Sequence, residues 1–253
     1  MGKLKNLLQH WPKGTVVVDT WLKTIGISKE LKRTYKINQW IKTIGRGAIA
    51  KKEDEVEWTG GLYAIQEQLK QKIHIGGKTA LELQGYSHFI RAQETRIFLY
   101  SPTRSELPFW FSHYDWGVQI CFYNTKFLPP EIGISTKNFQ NFSLKISSPE
   151  RAILELLYHV PNNQSVEEAH LIMQGMIGLR PSLMQALLEQ STSIKVNRLA
   201  LFFGDFLNHP WFRKIDSSKI NIGSGIRQIT KAGHYNAKYQ IYVPKEIYGN
   251  EGS

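Results

Sequence analysis

The chain has 253 residues, of which 42% are hydrophobic and 21% charged, so it is long and apolar enough to bury a sizeable core in one or two domains. This composition excludes a disordered tail, and a single cysteine, Cys121, excludes a disulfide scaffold and indicates a reducing compartment. The first eleven residues lack the apolar core of a signal peptide, and no run of about 18 apolar residues occurs. We therefore expect a cytoplasmic protein without a membrane partner.

The positive charge is concentrated at the amino end. The formal net charge is +11, and residues 1–52 carry 12 Lys and Arg against two acidic residues, which leaves +10 in this segment and +1 in the remainder. A basic segment joined to a nearly neutral body is typical of one module for a polyanion and a second module for another task. We therefore predict a domain boundary near residue 55, with one domain over residues 1–55 and a second over 56–253.

The amino-terminal domain is predicted to begin with a short helix. Leu4, Leu7, Leu8 and Trp11 follow the i, i+3, i+4, i+7 spacing of one helix face, and Pro12 ends the pattern. Residues 15–18 are all β-branched, which favours a strand. We expect a helix and a strand in this order before residue 19.

Two further helices are predicted around a glycine turn. Asp19 is a candidate N-cap for a helix over residues 20–25, Gly26 ends that helix, and Ser28 is a candidate N-cap for a second helix that continues to about Gln39. Two short helices joined by a turn that contains glycine are typical of a helix-turn-helix, whose second helix enters the major groove of DNA.

The second of these helices carries a stripe of positive charge. Lys29, Lys32, Arg33 and Lys36 are spaced i, i+3, i+4 and i+7, so they share one face, and the segments 40–44 and 48–52 flank a glycine-bounded hairpin tip. Such a hairpin after the helices predicts a winged helix-turn-helix. The candidate DNA-binding residues are Lys29, Lys32, Arg33, Lys36, Asn38 and Arg46. The alternative is that the stripe is the solvated face of an ordinary helix.

The remainder of the chain changes from strand-like to helical patterns. Strands are predicted at 73–75, 96–100, 109–114, 118–123 and 142–146, and possible closing strands at 226–243; helices are predicted from Ser148 and Pro149 onward and over 165–176, 181–190 and 195–207. The predicted fold class is α+β, with an N-terminal winged helix-turn-helix followed by a larger mixed α/β domain whose first half is strand-rich and whose second half is helical.

Three motifs in the larger domain carry a family resemblance. They are GGKTALELQGYSH at residues 76–88, SSPERAILELL at 147–157 and YQIYVP at 239–244. Together, in this order and spacing, they resemble the AbiEi antitoxins of type IV toxin–antitoxin, or abortive-infection, systems. The resemblance covers nearly the whole chain.

This resemblance implies a bacterial, cytoplasmic protein with two roles in phage defence. It implies that the winged helix binds inverted repeats in double-stranded promoter DNA and represses its own operon, and that the second domain antagonises a cognate nucleotidyltransferase toxin without an assumed stable complex. The alternative is a ligand-sensing winged-helix transcription factor without a toxin partner.

The sequence lacks the spacing of common catalytic and metal sites. Gly77, Lys78 and Thr79 do not form a phosphate loop, because position 72 is Lys where that motif needs Gly, and the eight histidines lack zinc-ligand spacing. We therefore predict that the protein is not an enzyme and has no catalytic residues, no metal ligands and no cofactor. Glu150 is interpreted as a capping residue at the amino-terminal end of its helix, where its negative charge interacts favourably with the helix dipole.

Two other groups of residues leave alternatives open. The aromatic cluster at residues 109–116 fits either core packing or stacking on single-stranded bases, and core packing is favoured. The scattered cations of the larger domain fit either a solvated surface, which is favoured, or nucleic-acid contact; they are Arg198, Arg213, Lys214 and Lys219.

Overall fold

The computed structural model describes residues 7–86, 96–230 and 233–249. Helices and strands are mixed along these residues, which confirms the predicted α+β class. By its internal contacts the chain divides into two compact units; the first comprises Met1–His74, Glu94–Asn124 and Thr136–Ile146, and the second comprises Ile75–Gln93, Thr125–Ser135 and Ser147–Ser253. The domain boundary near residue 55 stays a prediction.

The elements follow in chain order. The helices are α1 (residues 7–9 of a helix whose predicted residues 1–6 lie outside the described part), α2 (Asp19–Thr24), α3 (Lys29–Ile37), α4 (Trp58–Tyr63), α5 (Gly77–Leu83), α6 (Phe109–His113), α7 (Pro149–Tyr158), α8 (Val166–Gln174), α9 (Pro181–Gln190), α10 (Ile194–Phe206) and α11 (Glu246–Gly249). The strands are β1 (Val17–Val18), β2 (Ile41–Gly45), β3 (Ala48–Lys51), β4 (His74–Ile75), β5 (Arg96–Ser101), β6 (Gln119–Asn124), β7 (Ile134–Asn138), β8 (Ser143–Ser147), β9 (Arg227–Gln228), β10 (His234–Asn236) and β11 (Ile241–Val243).

The amino-terminal part of the first unit has its own apolar core. Strands β1, β3 and β2 form a sheet in this order, with antiparallel pairing. Against it lie side chains from α1, α2 and α3, and burial of these apolar surfaces holds the short elements together. The buried residues of this cluster are Leu7, Trp11, Val17, Leu22, Ile27, Tyr35, Ile41 and Ile49.

The prediction that Asp19 caps α2 is wrong. The N-cap position is Val18, whose side chain makes no capping hydrogen bond, and Asp19 is the first residue of the helix. An acidic residue there still suits the positive end of the helix. Asp19 uses its carboxylate for a contact with α3, described below.

A five-stranded sheet has the order β6-β5-β4-β8-β7. Strands β5 and β6 are parallel, with Arg96 opposite Gln119 and Ser101 opposite Asn124. Parallel neighbours need a crossover connection, and the segment between these two strands contains α6. The residues at 96–100, 118–123 and 142–146 therefore form strands as predicted, with ends that differ by one or two residues.

The predicted strand at residues 109–114 is wrong. Phe109–His113 forms a helix, in which the amides of Phe111 and Ser112 donate to the carbonyl of Pro108. Trp110 and Phe111 are buried and Phe109 is exposed, so much of the aromatic cluster serves core packing. Aromatic residues favour strands on average, but a proline immediately before them sets up a helical turn here.

The second unit is built around α7, which packs against α5, α9 and α10. Ser148 accepts a hydrogen bond from the amide of Arg151 and Pro149 is the first helical residue, which confirms the predicted start of this helix. A small sheet of order β10-β11-β9 lies in the carboxy-terminal part.

The first two family motifs meet at α7 through buried polar contacts. The carboxylate of Glu155 accepts hydrogen bonds from the amide of Gly77 at 3.0 Å, the hydroxyl of Ser147 at 2.8 Å and Nε of Arg151 at 2.8 Å. The amide of Gln84 donates to the carbonyl of Ser147. Ser87 and His88 of the first motif lie outside the described residues.

Two charged residues of this unit occupy buried positions that the sequence did not predict. Glu150 lies in the first turn of α7, and its carboxylate also forms an ion pair with Arg180, in which Oε2 of Glu150 is 3.0 Å from Nη2 of Arg180. Arg198 is fully buried, and its guanidinium donates to carbonyl oxygens of Ile222, Gly225 and Gln240. The surface interpretation of Arg198 is therefore wrong.

Candidate nucleic-acid interface

The turn between α2 and α3 depends on its local sequence. Gly26 has a φ of +78°, in the left-handed region that residues with a Cβ adopt at a cost, and this directs the chain out of α2. Ile27 is buried, and Ser28 caps α3 by accepting a hydrogen bond from the amide of Leu31 at 3.2 Å. The predicted roles of Gly26 and Ser28 are confirmed.

Helix α3 has a buried face and a cationic face. Tyr35 is 4% exposed, and its ring lies 5.5 Å from that of Trp40. Lys29, Arg33 and Lys36 are exposed, as is Asn38, which is the C-cap of the helix. The packed face fixes the orientation of the helix, and the exposed face is left for solvent or a ligand.

Lys32 differs from the other predicted cations. Its ammonium donates to both carboxylate oxygens of Asp19, at 2.6 and 2.8 Å, and both side chains are only partly exposed. This ion pair joins α3 to the start of α2. The charge of Lys32 is therefore compensated inside the protein, whereas Arg33 and Lys36 reach solvent.

The tip of the β2–β3 hairpin is also bound to Asp19. The amide of Asp19 donates to the carbonyl of Gly47 at 2.9 Å, and Gly47 has a φ of +83° that allows the tight turn. Arg46, at the tip, is exposed. Asp19 thus brings together the first turn of α2, Lys32 of α3 and the hairpin tip that carries Arg46.

Three features of this surface were not predicted from the sequence. Asp19 pairs with Lys32, a lysine 13 positions later on the next helix, and does not cap α2. Ile37, at the end of α3, is an apolar residue that is 69% exposed. Thr34 uses its hydroxyl to donate to the carbonyl of Glu30, so that hydroxyl is engaged within the helix.

Glu30 is the acidic residue of α3. A hydrogen bond with its own backbone amide, and then one with Ser28, lowers the pKa of its carboxyl, so it is ionised at neutral pH. Its charge lies in the first turn, beside the positive end of the helix. The cations that follow it on α3 still leave the exposed face positive.

The exposed cations of α3 and of the hairpin tip suit this surface to binding phosphates. Exposed Arg and Lys side chains bind phosphate oxygens by charge and hydrogen bonding. Within residues 7–86, 96–230 and 233–249, no three His, Cys, Asp or Glu side chains are grouped as metal ligands. In this same part of the chain, every helix is too short or too polar to cross a membrane.

Comparisons with known proteins identify the family. Residues 1–92 match the family model described as transcriptional regulator, AbiEi antitoxin N-terminal domain, and residues 94–244 match that described as transcriptional regulator, AbiEi antitoxin, type IV toxin–antitoxin system. No curated protein matches the sequence. The crystal structure of the RV2827C protein from Mycobacterium tuberculosis is similar, with a TM-score of 0.62 and 14% identity over 99% of this chain and 93% of that chain, which concerns the fold alone. The chain belongs to the AbiEi antitoxin family of type IV toxin–antitoxin systems.

Proposed function

We propose that this chain represses its own operon by binding inverted-repeat promoter DNA through a winged helix-turn-helix. In this proposal α2 and α3 form the helix-turn-helix, α3 enters the major groove, and the β2–β3 hairpin is the wing. The protein acts in the cytoplasm and catalyses no reaction. The alternative of a ligand-sensing transcription factor without a toxin partner stays a prediction.

The observation that carries the proposal is the two-faced structure of α3. Its buried face, centred on Tyr35, anchors it to the core, and its opposite face exposes Lys29, Arg33 and Lys36 in the segment that holds nearly all the excess positive charge. Arg46 adds an exposed cation at the hairpin tip. These cations supply phosphate contacts, while Asn38 and the apolar Ile37 are candidates for contacts with base edges and thymine methyl groups.

The test is a fluorescence-anisotropy titration of the full-length protein against the DNA upstream of its own gene and against a scrambled duplex. The titration is repeated at several salt concentrations. We expect tight binding to the upstream DNA. The double variant Arg33→Ala/Lys36→Ala should bind about 10- to 100-fold more weakly at 0.1 M salt, and the slope of log affinity against log salt should fall by about two, because two phosphate contacts are lost.

The matched control removes the same charge from the same basic segment but away from α3 and the hairpin tip. Lys13 and Lys52 are exposed, and Lys13→Ala/Lys52→Ala should keep most of the affinity for the upstream duplex. Equal losses in the two double variants would show that only net charge matters and would contradict the assignment of α3. Equal weak binding of wild type to both duplexes would contradict the repressor role.

We propose further that the protein antagonises a cognate nucleotidyltransferase toxin, as the family membership supports. The test is growth of cells that express this toxin from the neighbouring gene, with and without the full-length protein. Rescue of growth is expected, and rescue by Arg33→Ala/Lys36→Ala should equal that by wild type if antagonism does not depend on DNA binding. Failure of the wild-type protein to rescue growth would contradict this second role.

A further inference from the structure

The second unit contains an open pocket that the proposed function does not use. Its volume is about 630 Å³, and its lining includes Phe127, Tyr158, Asn162, Asn163, Lys195 and Arg227. Pockets that hold small molecules are typically ~300–1,000 Å³, so this one has room for a compound well above the size of a simple ion.

The pocket has an excess of positive charge. Lys195 and Arg227 both line it, and its ten described lining residues include no Asp or Glu. The ammonium of Lys195 donates to the carbonyls of Tyr158 and Val160 and lies over the Tyr158 ring, 5.5 Å from its centroid, so its described contacts are with neutral groups. An anion would find here a point charge and a guanidinium fork, the two groups by which proteins bind phosphate.

A third cation strengthens the field around this pocket. Arg198 lies one turn after Lys195 on α10 and is fully buried, and the groups that receive its hydrogen bonds are backbone carbonyls and the amide of Gln240. Burial, and then the charge of Arg227, lowers the pKa of both Lys195 and Arg198, which places the three cations within electrostatic range of one another. Their mutual repulsion would be relieved by a bound anion.

The remaining lining groups suit a planar, hydrogen-bonding ring. Tyr158 is 36% exposed, and its ring stacks on Phe127 with centroids 4.5 Å apart and an interplanar angle of 13°. Asn162 and Asn163 are exposed, and each amide offers both donors and an acceptor. Contact with an aromatic side chain, together with amide hydrogen bonds at the edge of the base, is one way in which proteins bind unpaired nucleobases.

We propose that this pocket binds a small phosphorylated compound of mononucleotide size, with the phosphate at Lys195 and Arg227 and the ring against Tyr158. The ligand's negative charge compensates the cations of the pocket, and its ring covers the exposed aromatic surface. This site lies within the second unit and shares no residue with the DNA-binding surface proposed on α3.

The test is isothermal titration calorimetry of the full-length protein with AMP, GMP, CMP and UMP, compared with the four corresponding nucleosides and with inorganic phosphate. We expect at least one mononucleotide to bind one per chain, at least about tenfold more tightly than its nucleoside or phosphate alone. Arg227→Ala should weaken this binding about tenfold or more, because it removes a charge-assisted contact. Tyr158→Leu should weaken nucleotide binding more than phosphate binding.

Arg213→Ala is the matched control, since Arg213 is an exposed arginine of the same unit that does not line the pocket. It should leave nucleotide binding unchanged. Absence of binding by all four mononucleotides, equal binding of inorganic phosphate, or unaltered binding by Arg227→Ala would each overturn the proposal. So would a single-stranded ten-nucleotide DNA that binds this pocket in preference to every mononucleotide, because the site would then belong to a polynucleotide.

Operator binding is measured on the same samples. Nucleotide binding without operator binding would support this inference while contradicting the proposed repressor function. Operator binding without nucleotide binding would support the proposed repressor function while contradicting this inference.

Discussion

At the scale of single residues, Glu155 joins two of the three family motifs. It is 1% exposed, and its carboxylate binds the first motif at Gly77 and the second motif at Ser147 and Arg151. We predict that Glu155→Gln lowers the free energy of unfolding by about 3–5 kcal/mol, because Arg151, itself buried, loses its charged partner. Urea unfolding followed by tryptophan fluorescence measures this change.

Glu167→Gln is the control for this prediction, because Glu167 is exposed in the first turn of α8. Its effect should stay within about 0.5 kcal/mol. If Glu155→Gln unfolds at the same urea concentration as wild type, the buried pair of Arg151 and Glu155 contributes nothing to stability.

Charge alone did not predict which residues of this unit are buried. Arg198 and Glu150 are charged, so the sequence favours exposure for both. Arg198 is instead satisfied by carbonyls from residues 222, 225 and 240, and Glu150 by Arg180, 30 positions away. Partners this distant in sequence leave no local signal, so only the folded chain reveals them.

At the scale of elements, α3 contains two kinds of cation. Lys32 is neutralised by Asp19, whereas Lys36 is exposed. We predict that Lys36→Ala lowers the slope of log affinity against log salt by about one, while Lys32→Ala changes this slope much less, because it removes a cation already paired within the protein. The measurement is the salt series with the upstream duplex.

Asp19→Asn provides the complementary variant. It keeps the side-chain shape and releases Lys32, so we expect DNA binding with a slope equal to or steeper than that of wild type. Equal slope losses for Lys32→Ala and Lys36→Ala would contradict the distinction between the two lysines. Circular dichroism of each variant checks that α3 is retained.

A comparison of α3 with α6 shows where sequence signals suffice. Gly26 and Ser28 mark the start of α3, and its apolar and charged residues follow a helical period over nine residues. In α6, five residues are too few to show a period, and three aromatic or β-favouring positions in succession outweigh the signal of Pro108. Short helices of aromatic residues are thus predicted as strands.

At the scale of the whole molecule, the α+β class and most element positions could be predicted, but sheet order could not. The central strand of the five-stranded sheet is β4, of two residues, which lies between β5 and β8. Hydropathy indicates that a segment is buried and gives no information on its neighbours. The DNA-contacting residues likewise stay a prediction, because exposure of Arg33 and Lys36 is necessary for contact and does not establish it.

We predict that the protein loses stability as the pH falls from about 6.5 to 4. Burial, and then the charge of Lys195, lowers the pKa of His159 to about 4 against a smaller opposite effect of Glu155, and burial lowers the pKa of His209 as well. The unfolded chain gains these protons near pH 6.5 while the folded protein resists them, so acid favours unfolding. The shift at His159 corresponds to on the order of 3 kcal/mol.

Urea midpoints at pH 7.5, 6.5, 5.5 and 4.5 test this prediction. His159→Gln removes one titrating group, so its stability should decline less steeply with acid than that of wild type, whereas His10→Gln, a change at an exposed histidine, should follow wild type. Glu150 adds a further loss of stability below about pH 4.5. Burial alone would raise the pKa of Glu150, but hydrogen bonds from Arg180 outweigh this effect and lower the pKa. The stabilisation from the ionised Glu150 is therefore lost as the carboxylate becomes protonated. A decline in His159→Gln as steep as in wild type would show that the acid sensitivity arises at other groups, with His209 the next to replace.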